Sequence, residues 1–215
     1  MRRWASEALV AGFLSVSACG GAHQAIAPQG IDFFARATWF DLGRTCSADA
    51  PTARAPMSTA DSVTRWGPLP AGADMNVRSA WLARHLPGGY GGSPFQTQGR
   101  WFFYMTRPSA RDSLIAAMEF SPNADVPVNL LKSATVLQGR WTFAELYDWW
   151  LYLLPELGHG HGIWAWDIQE ATNRIEISVD NDQPAKVGVI AQWLRDHAVP
   201  CHLIAYRLEG VASPM

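Results

Sequence analysis

Charge is scarce in this chain. Only 17% of its 215 residues are charged, the two signs nearly cancel to a net of −2, and no basic cluster stands out. Nucleic acid, which binds through clustered Lys and Arg, is therefore not an expected partner. Long apolar runs are lacking too: nowhere do 18 apolar residues follow one another, so no membrane-spanning helix is written in the sequence. Cysteine is limited to three residues with no CxxC, which argues against a thioredoxin-type redox site or a zinc ribbon. HExxH, GxSxG and a Gly-Lys-Ser/Thr phosphate loop are missing as well, so the sequence spells neither a zincin helix, a hydrolase elbow nor a nucleotide cradle. What the chain does have is apolar bulk. Hydrophobic residues make up 48% and tryptophan occurs 11 times, a composition that builds a core rather than a disordered coil.

The first residues have the layout of a processing signal. Arg2 and Arg3 supply positive charge, Ala8 to Val16 a short apolar stretch, and Val16-Ser17-Ala18-Cys19 small residues before Gly20-Gly21. Glu7 sits where the apolar run should begin, and the alternative is a buried N-terminal helix. The four residues ending at Cys19 resemble the lipobox of bacterial lipoproteins. That resemblance implies cleavage before Cys19, lipid on its sulfur and an address in the cell envelope, with Gly20 pointing to the outer membrane or, without an anchor, secretion. Multiple acyl chains would make such an anchor stable. Cys46 and Cys201 then remain. In an oxidising compartment they are a disulfide candidate worth roughly 4–5 kcal/mol in the chain-entropy view; the alternative is two separate thiols.

Residues 1–18 thus read as a signal peptide, 19–75 as a tether and poorly structured segment, and 76–215 as an α+β domain. Within 19–75, Ile31 to Phe40 is apolar enough to dock on the body as a short strand or helix. Val77 to Leu86 has a helical period and is stopped by Pro87 and the Gly88-Gly89-Tyr90-Gly91-Gly92 turn. Arg100 to Thr106 reads as a strand, and Ser109 is placed to cap a helix carrying Leu114, Ile115 and Met118. Ala134 to Leu137 reads as a second strand. Thr142 and Glu145 form a capping box ahead of a helix whose stripe is Phe143, Leu146, Trp150, Leu153 and Leu154. Ile163 to Ile168 and Arg174 to Val179 alternate as a hairpin, and Val187, Ile190, Ala191 and Leu194 mark a helix after Pro184. His202 to Leu208 is the last strand. From about 133 to 208 the order is β-α-β-β-α-β, which predicts a ferredoxin-like unit: one antiparallel sheet with helices on one face, extended by the earlier strand and helix.

Four segments resemble the pro-regions of secreted bacterial trypsin-like serine proteases of the α-lytic protease and streptogrisin type. They are the 88–92 turn with the strand Trp101 to Thr106, the capped helix from Thr142, Trp164-Ala-Trp166-Asp167 leading into Asn173 to Val179, and the final helix and strand. The resemblance implies an α/β pro-domain that templates and inhibits a protease. Gly-Asp-Ser-Gly is missing from these residues, so it implies a relative of the pro-domain without the catalytic domain.

Few residues are arranged for chemistry. His159-Gly160-His161-Gly162 places two imidazoles one residue apart near Glu156. They are a candidate metal pair; the alternative is a glycine-rich connection that carries histidines, since zinc sites need three or four ligands. No catalytic residue and no cofactor are assigned. Trp149 and Trp193 lie beside the predicted helical stripes and are either additional core or an exposed aromatic contact patch. The expected function is a non-enzymatic envelope lipoprotein that binds a protein or peptide at a sheet edge and meets the bilayer only through Cys19. The alternatives are a metal-dependent enzyme using His159 and His161, or a structural accessory protein without ligand.

Overall fold

The computed structural model describes residues 38–43, 54–56, 67–121, 123, 126–157, 163–181 and 183–209, apart from the side chains of residues 156 and 164. Cys19, Cys46, His159 and His161 therefore lie outside the described residues, as does the signal segment. Seven strands and five helices follow in order: β1 (Thr38–Trp39), α1 (Met75–His85), β2 (Phe95–Thr97), β3 (Arg100–Met105), α2 (Arg111–Glu119), α3 (Val128–Ser133), β4 (Thr135–Gln138), α4 (Phe143–Leu157), β5 (Ile163–Gln169), β6 (Arg174–Asp180), α5 (Ala185–Asp196) and β7 (Ile204–Glu209).

The molecule is α+β with two mixed sheets. One has the order β1-β7-β6-β5 and the other β2-β3-β4. The single antiparallel sheet expected from β-α-β-β-α-β does not form. β4 pairs in parallel with β3 instead of joining β5 to β7, and β6 pairs in parallel with β7. The cause lies in strand choice. Phe103 and Met105 of β3 offer β4 an apolar neighbour facing Val136, and β4 reaches it through the α2 and α3 crossover.

The two sheets have the same plan. A helix (α1 or α4) precedes an antiparallel hairpin (β2-β3 or β5-β6), and a helical crossover (α2 with α3, or α5) returns a third strand parallel to the second. Apart from β1, the described elements fall into two units of this plan, the first with two helices in its crossover. One core spans both, with Phe103, Leu114, Met118 and Leu131 from the first half and Leu146, Leu153, Ile175, Ile177, Ile190 and Leu194 from the second.

Local chemistry explains most ends. The Asp74 carboxylate caps α1 by accepting from the Val77 amide at 2.8 Å. The Thr142 box closes as expected: its Oγ1 accepts from the Glu145 amide at 3.1 Å and Glu145 Oε2 accepts from the Thr142 amide at 2.8 Å. Ser109 does not cap; a 3₁₀ turn over Pro108–Ala110 leads straight into α2. Helix α3 follows Pro127, in a stretch left without an element by the periodicity.

β1 shows that the presumed tether reaches the body. Thr38 and Trp39 pair antiparallel with Tyr206 and Ala205, Phe40 and Leu42 are buried, and Arg195 donates to the Asp41 carbonyl at 2.7 Å. Cys201, in the turn before β7, is disulfide-bonded.

Candidate functional site

Three turns meet where the halves join. In the 88–92 turn the Gly91 amide donates to the Tyr104 carbonyl at 2.9 Å, and the Tyr90 carbonyl accepts from the Phe143 amide at 2.8 Å. A Cβ on Gly91 would stand 2.7 Å from that of Tyr104 and 2.8 Å from its carbonyl oxygen, so only glycine passes. From the hairpin turn Glu170–Asn173, the fully buried Asn173 side chain reaches the 139–141 segment. Its Oδ1 accepts from the amides of Arg140 and Trp141, both at 3.0 Å, and its Nδ2 donates to the Trp141 carbonyl at 2.9 Å. Asn173 itself has φ 53°, a left-handed conformation that asparagine tolerates better than most residues. These bonds fix the β5-β6 hairpin against the first half.

Beside that junction, Arg174 lies 5.4 Å from the Trp39 ring centre and Arg140 lies 5.8 Å from that of Trp141. Burial, and secondarily the Arg140 charge, lower the Arg174 guanidinium to about 10, so it is still protonated at neutral pH. Burial followed by the charges of Arg140 and Arg174 lowers His202 below the usual imidazole value. Both arginines make further interactions, and their like charges oppose one another at this junction.

The hairpin so fixed presents β5 outward. β5 pairs with β6 on one side; among the described residues nothing pairs with its other side. A register shift between Ile163 and Ala165 disturbs its start, and Trp166 to Gln169 is regular. On the helix-covered side, Trp166 opposite Ile177 stacks on Trp150 at 5.8 Å, and Trp150 stacks on Tyr147 at 5.8 Å. All three rings are half-buried. On the far side Ala165 and Asp167 are exposed, and Asp167 stands opposite Glu176, whose carboxylate meets Arg207 at 2.5 Å. Burial, opposed by a backbone hydrogen bond and reinforced by the Asp167 charge, raises the Glu170 carboxyl above the usual range. Among the described residues the arrangement is an edge without a partner strand, on which the Asp167 carboxylate accepts from the Ile168 amide at 2.8 Å, with an aromatic wall on one face and an acidic rim on the other.

The other candidate residues are not brought to this edge. Trp149 is only 2% exposed, packed edge-on to Tyr152 at 5.7 Å, so it is core and not contact patch. The buried face of α4 runs through Phe143, Leu146, Trp149, Leu153 and Leu157, which turns Trp150 toward β5 instead. Trp193 is half-buried and stacked on His197 at 3.8 Å, one turn along α5. The two tryptophans therefore form no shared patch. Among the described residues no group of three or more His, Cys, Asp or Glu could hold a metal ion, and no helix is long and apolar enough to cross a membrane. Sequence reasoning missed Asn173 as a clasp and Asp167 as a rim charge. The second had a signal, a carboxylate between Trp166 and Ile168 in an otherwise apolar strand, which is how edge strands are commonly marked.

Compared with known proteins, the chain matches no family model, no curated protein and no solved structure.

Proposed function

We propose that the protein is a lipid-anchored, non-enzymatic binding module of a bacterial envelope, related to protease pro-domains, which takes an extended segment of another protein onto the outer edge of β5. The observation that carries this is the side of β5 between Trp166 and Gln169 that no strand pairs with among the described residues, flanked by half-buried rings. Such an edge offers main-chain donors and acceptors, and an added strand satisfies them without any preformed pocket, here by displacing the Asp167 carboxylate from the Ile168 amide. The lipobox at Cys19 supports the anchor, and the half-cystine Cys201 supports an oxidising compartment. The pro-domain resemblance supports a protein rather than a small molecule as ligand.

Two measurements test this reading. A random peptide library panned on the full chain should yield peptides that slow hydrogen exchange of the β5 amides; selection of none, or protection elsewhere only, overturns it. In a bacterial host, a fatty-acid probe should label the protein and lose its label on Cys19→Ala, whereas unlabelled protein refutes the anchor.

A further inference from the structure

Strand addition makes a demand on the partner's sequence that the two faces of β5 specify. Side chains of an added strand alternate between faces, and those directly opposite β5 residues lie about 4.5–5.5 Å away at Cβ. On the helix-covered face they meet Trp166, backed by Trp150 and Tyr147 in one stacked row. An apolar side chain there removes half-exposed ring surface from water; a charged one would lose its hydration against it. On the far face they meet Ala165, which leaves room, and the exposed carboxylate of Asp167. Glu176 behind it is already engaged by Arg207 at 2.5 Å, Glu170 at the end of the strand is half-buried, and the Asp167 carboxylate, exposed, accepts from the Ile168 amide through Oδ1 at 2.8 Å. Asp167 is thus the acidic group that a passing side chain meets, and the favourable neighbour for it is a cation.

Resting on the strand-addition reading, we infer that the β5 edge selects an extended peptide whose apolar residues alternate with Lys or Arg. The apolar set covers Trp166 and the basic set faces Asp167. The same geometry disfavours a second copy of this chain. Antiparallel self-pairing about the regular part of β5 brings two Asp167 carboxylates opposite or diagonal to one another, and like charges at those positions destabilise a sheet.

Three synthetic ten-residue peptides test this on the purified full chain: Val and Lys alternating, Val and Glu alternating, and the Val/Lys composition in two blocks. The alternating Val/Lys peptide should quench tryptophan fluorescence and slow exchange of the Trp166 to Gln169 amides. It should bind about three- to tenfold more tightly than the Val/Glu peptide, the ratio that one cross-strand position, attractive for Lys and repulsive for Glu, provides. The block peptide, equal in net charge, should bind less tightly than the alternating one. Asp167→Lys should reverse the charge preference and Asp167→Asn abolish it; Asp167 is exposed, and circular dichroism confirms that both variants fold. Equal binding of the Val/Lys and Val/Glu peptides, or a preference untouched by Asp167→Lys, overturns the inference. If library-selected peptides still protect the β5 amides in that case, strand addition stands and only the sequence rule falls. If no peptide protects them, both fall.

Discussion

Asn173 does two jobs that no other residue in its turn could combine. Its backbone sits at positive φ, and its amide satisfies two donors and one acceptor 32–33 residues away in sequence. Replacing it by Gly keeps the turn and deletes the side chain, which should cost about 2–3 kcal/mol at roughly 1 kcal/mol per buried bond. Ala adds the left-handed penalty and should cost about 1 kcal/mol more. Urea unfolding of the two variants separates these contributions. His202 supplies a pH effect at the same scale. Its imidazole is lowered in the folded protein, so folding disfavours its charged form, and the associated stability is present above the unfolded value and lost as pH falls through the folded one. His202 also has φ 59°, so Asn is the replacement that preserves the turn. Relative to the parent, His202→Asn should gain stability progressively between pH 7 and pH 5, as measured by thermal melts. The sequence identified Asn173 as the opening of a strand and His202 as the first residue of the last one, which in fact begins at Ile204. The partners of both lie on another turn, which one-dimensional spacing does not encode.

Among the elements, those whose signals are local were the legible ones. The capping box of α4 and the alternation of β5 and β6 appear where the residues place them, because each needs only neighbours three or two positions away. The hairpin β2-β3 escaped, although its two-residue link is Gln98-Gly99 with φ of 49° and 73°. Both values are positive, as a type I′ turn requires, and Gln is an unfavourable choice for the first position. Gln98→Asn should therefore stabilise the protein by about 0.5–1 kcal/mol, and denaturant titration decides it. If stability is unchanged, the turn is not strained at Gln98. The candidate site divides along the same line. Trp166 and Asp167 were legible as a strand, but the openness of that strand depends on β4 having gone to the other sheet. Strand pairing is set by which apolar faces find each other, and six short strands in this region leave several pairings compatible with one pattern.

Taken whole, the molecule is two αββαβ units that could have been two small domains, and the packing says that they are not. Helices α1 and α4 meet through Arg84 and Asp148, whose ion pair spans 2.6 Å with side chains only 9% and 13% exposed. The core runs without a break from Phe103 to Ile177, and the 88–92 turn hydrogen-bonds to both β3 and the start of α4. A unit of this size alone buries a smaller share of its surface and is marginal in stability, so sharing one core adds to the stability of each half. Native-state hydrogen exchange should then give the β3 and β6 amides the same opening free energy, that of global unfolding. Asp148→Asn removes the carboxylate from a nearly buried guanidinium and should lower that common value by about 2–3 kcal/mol in both strands together. A loss confined to β3 would mean that the halves open separately. In that event the β5 edge would be carried by the second half alone, and the clasp at Asn173 would not be what holds it in place.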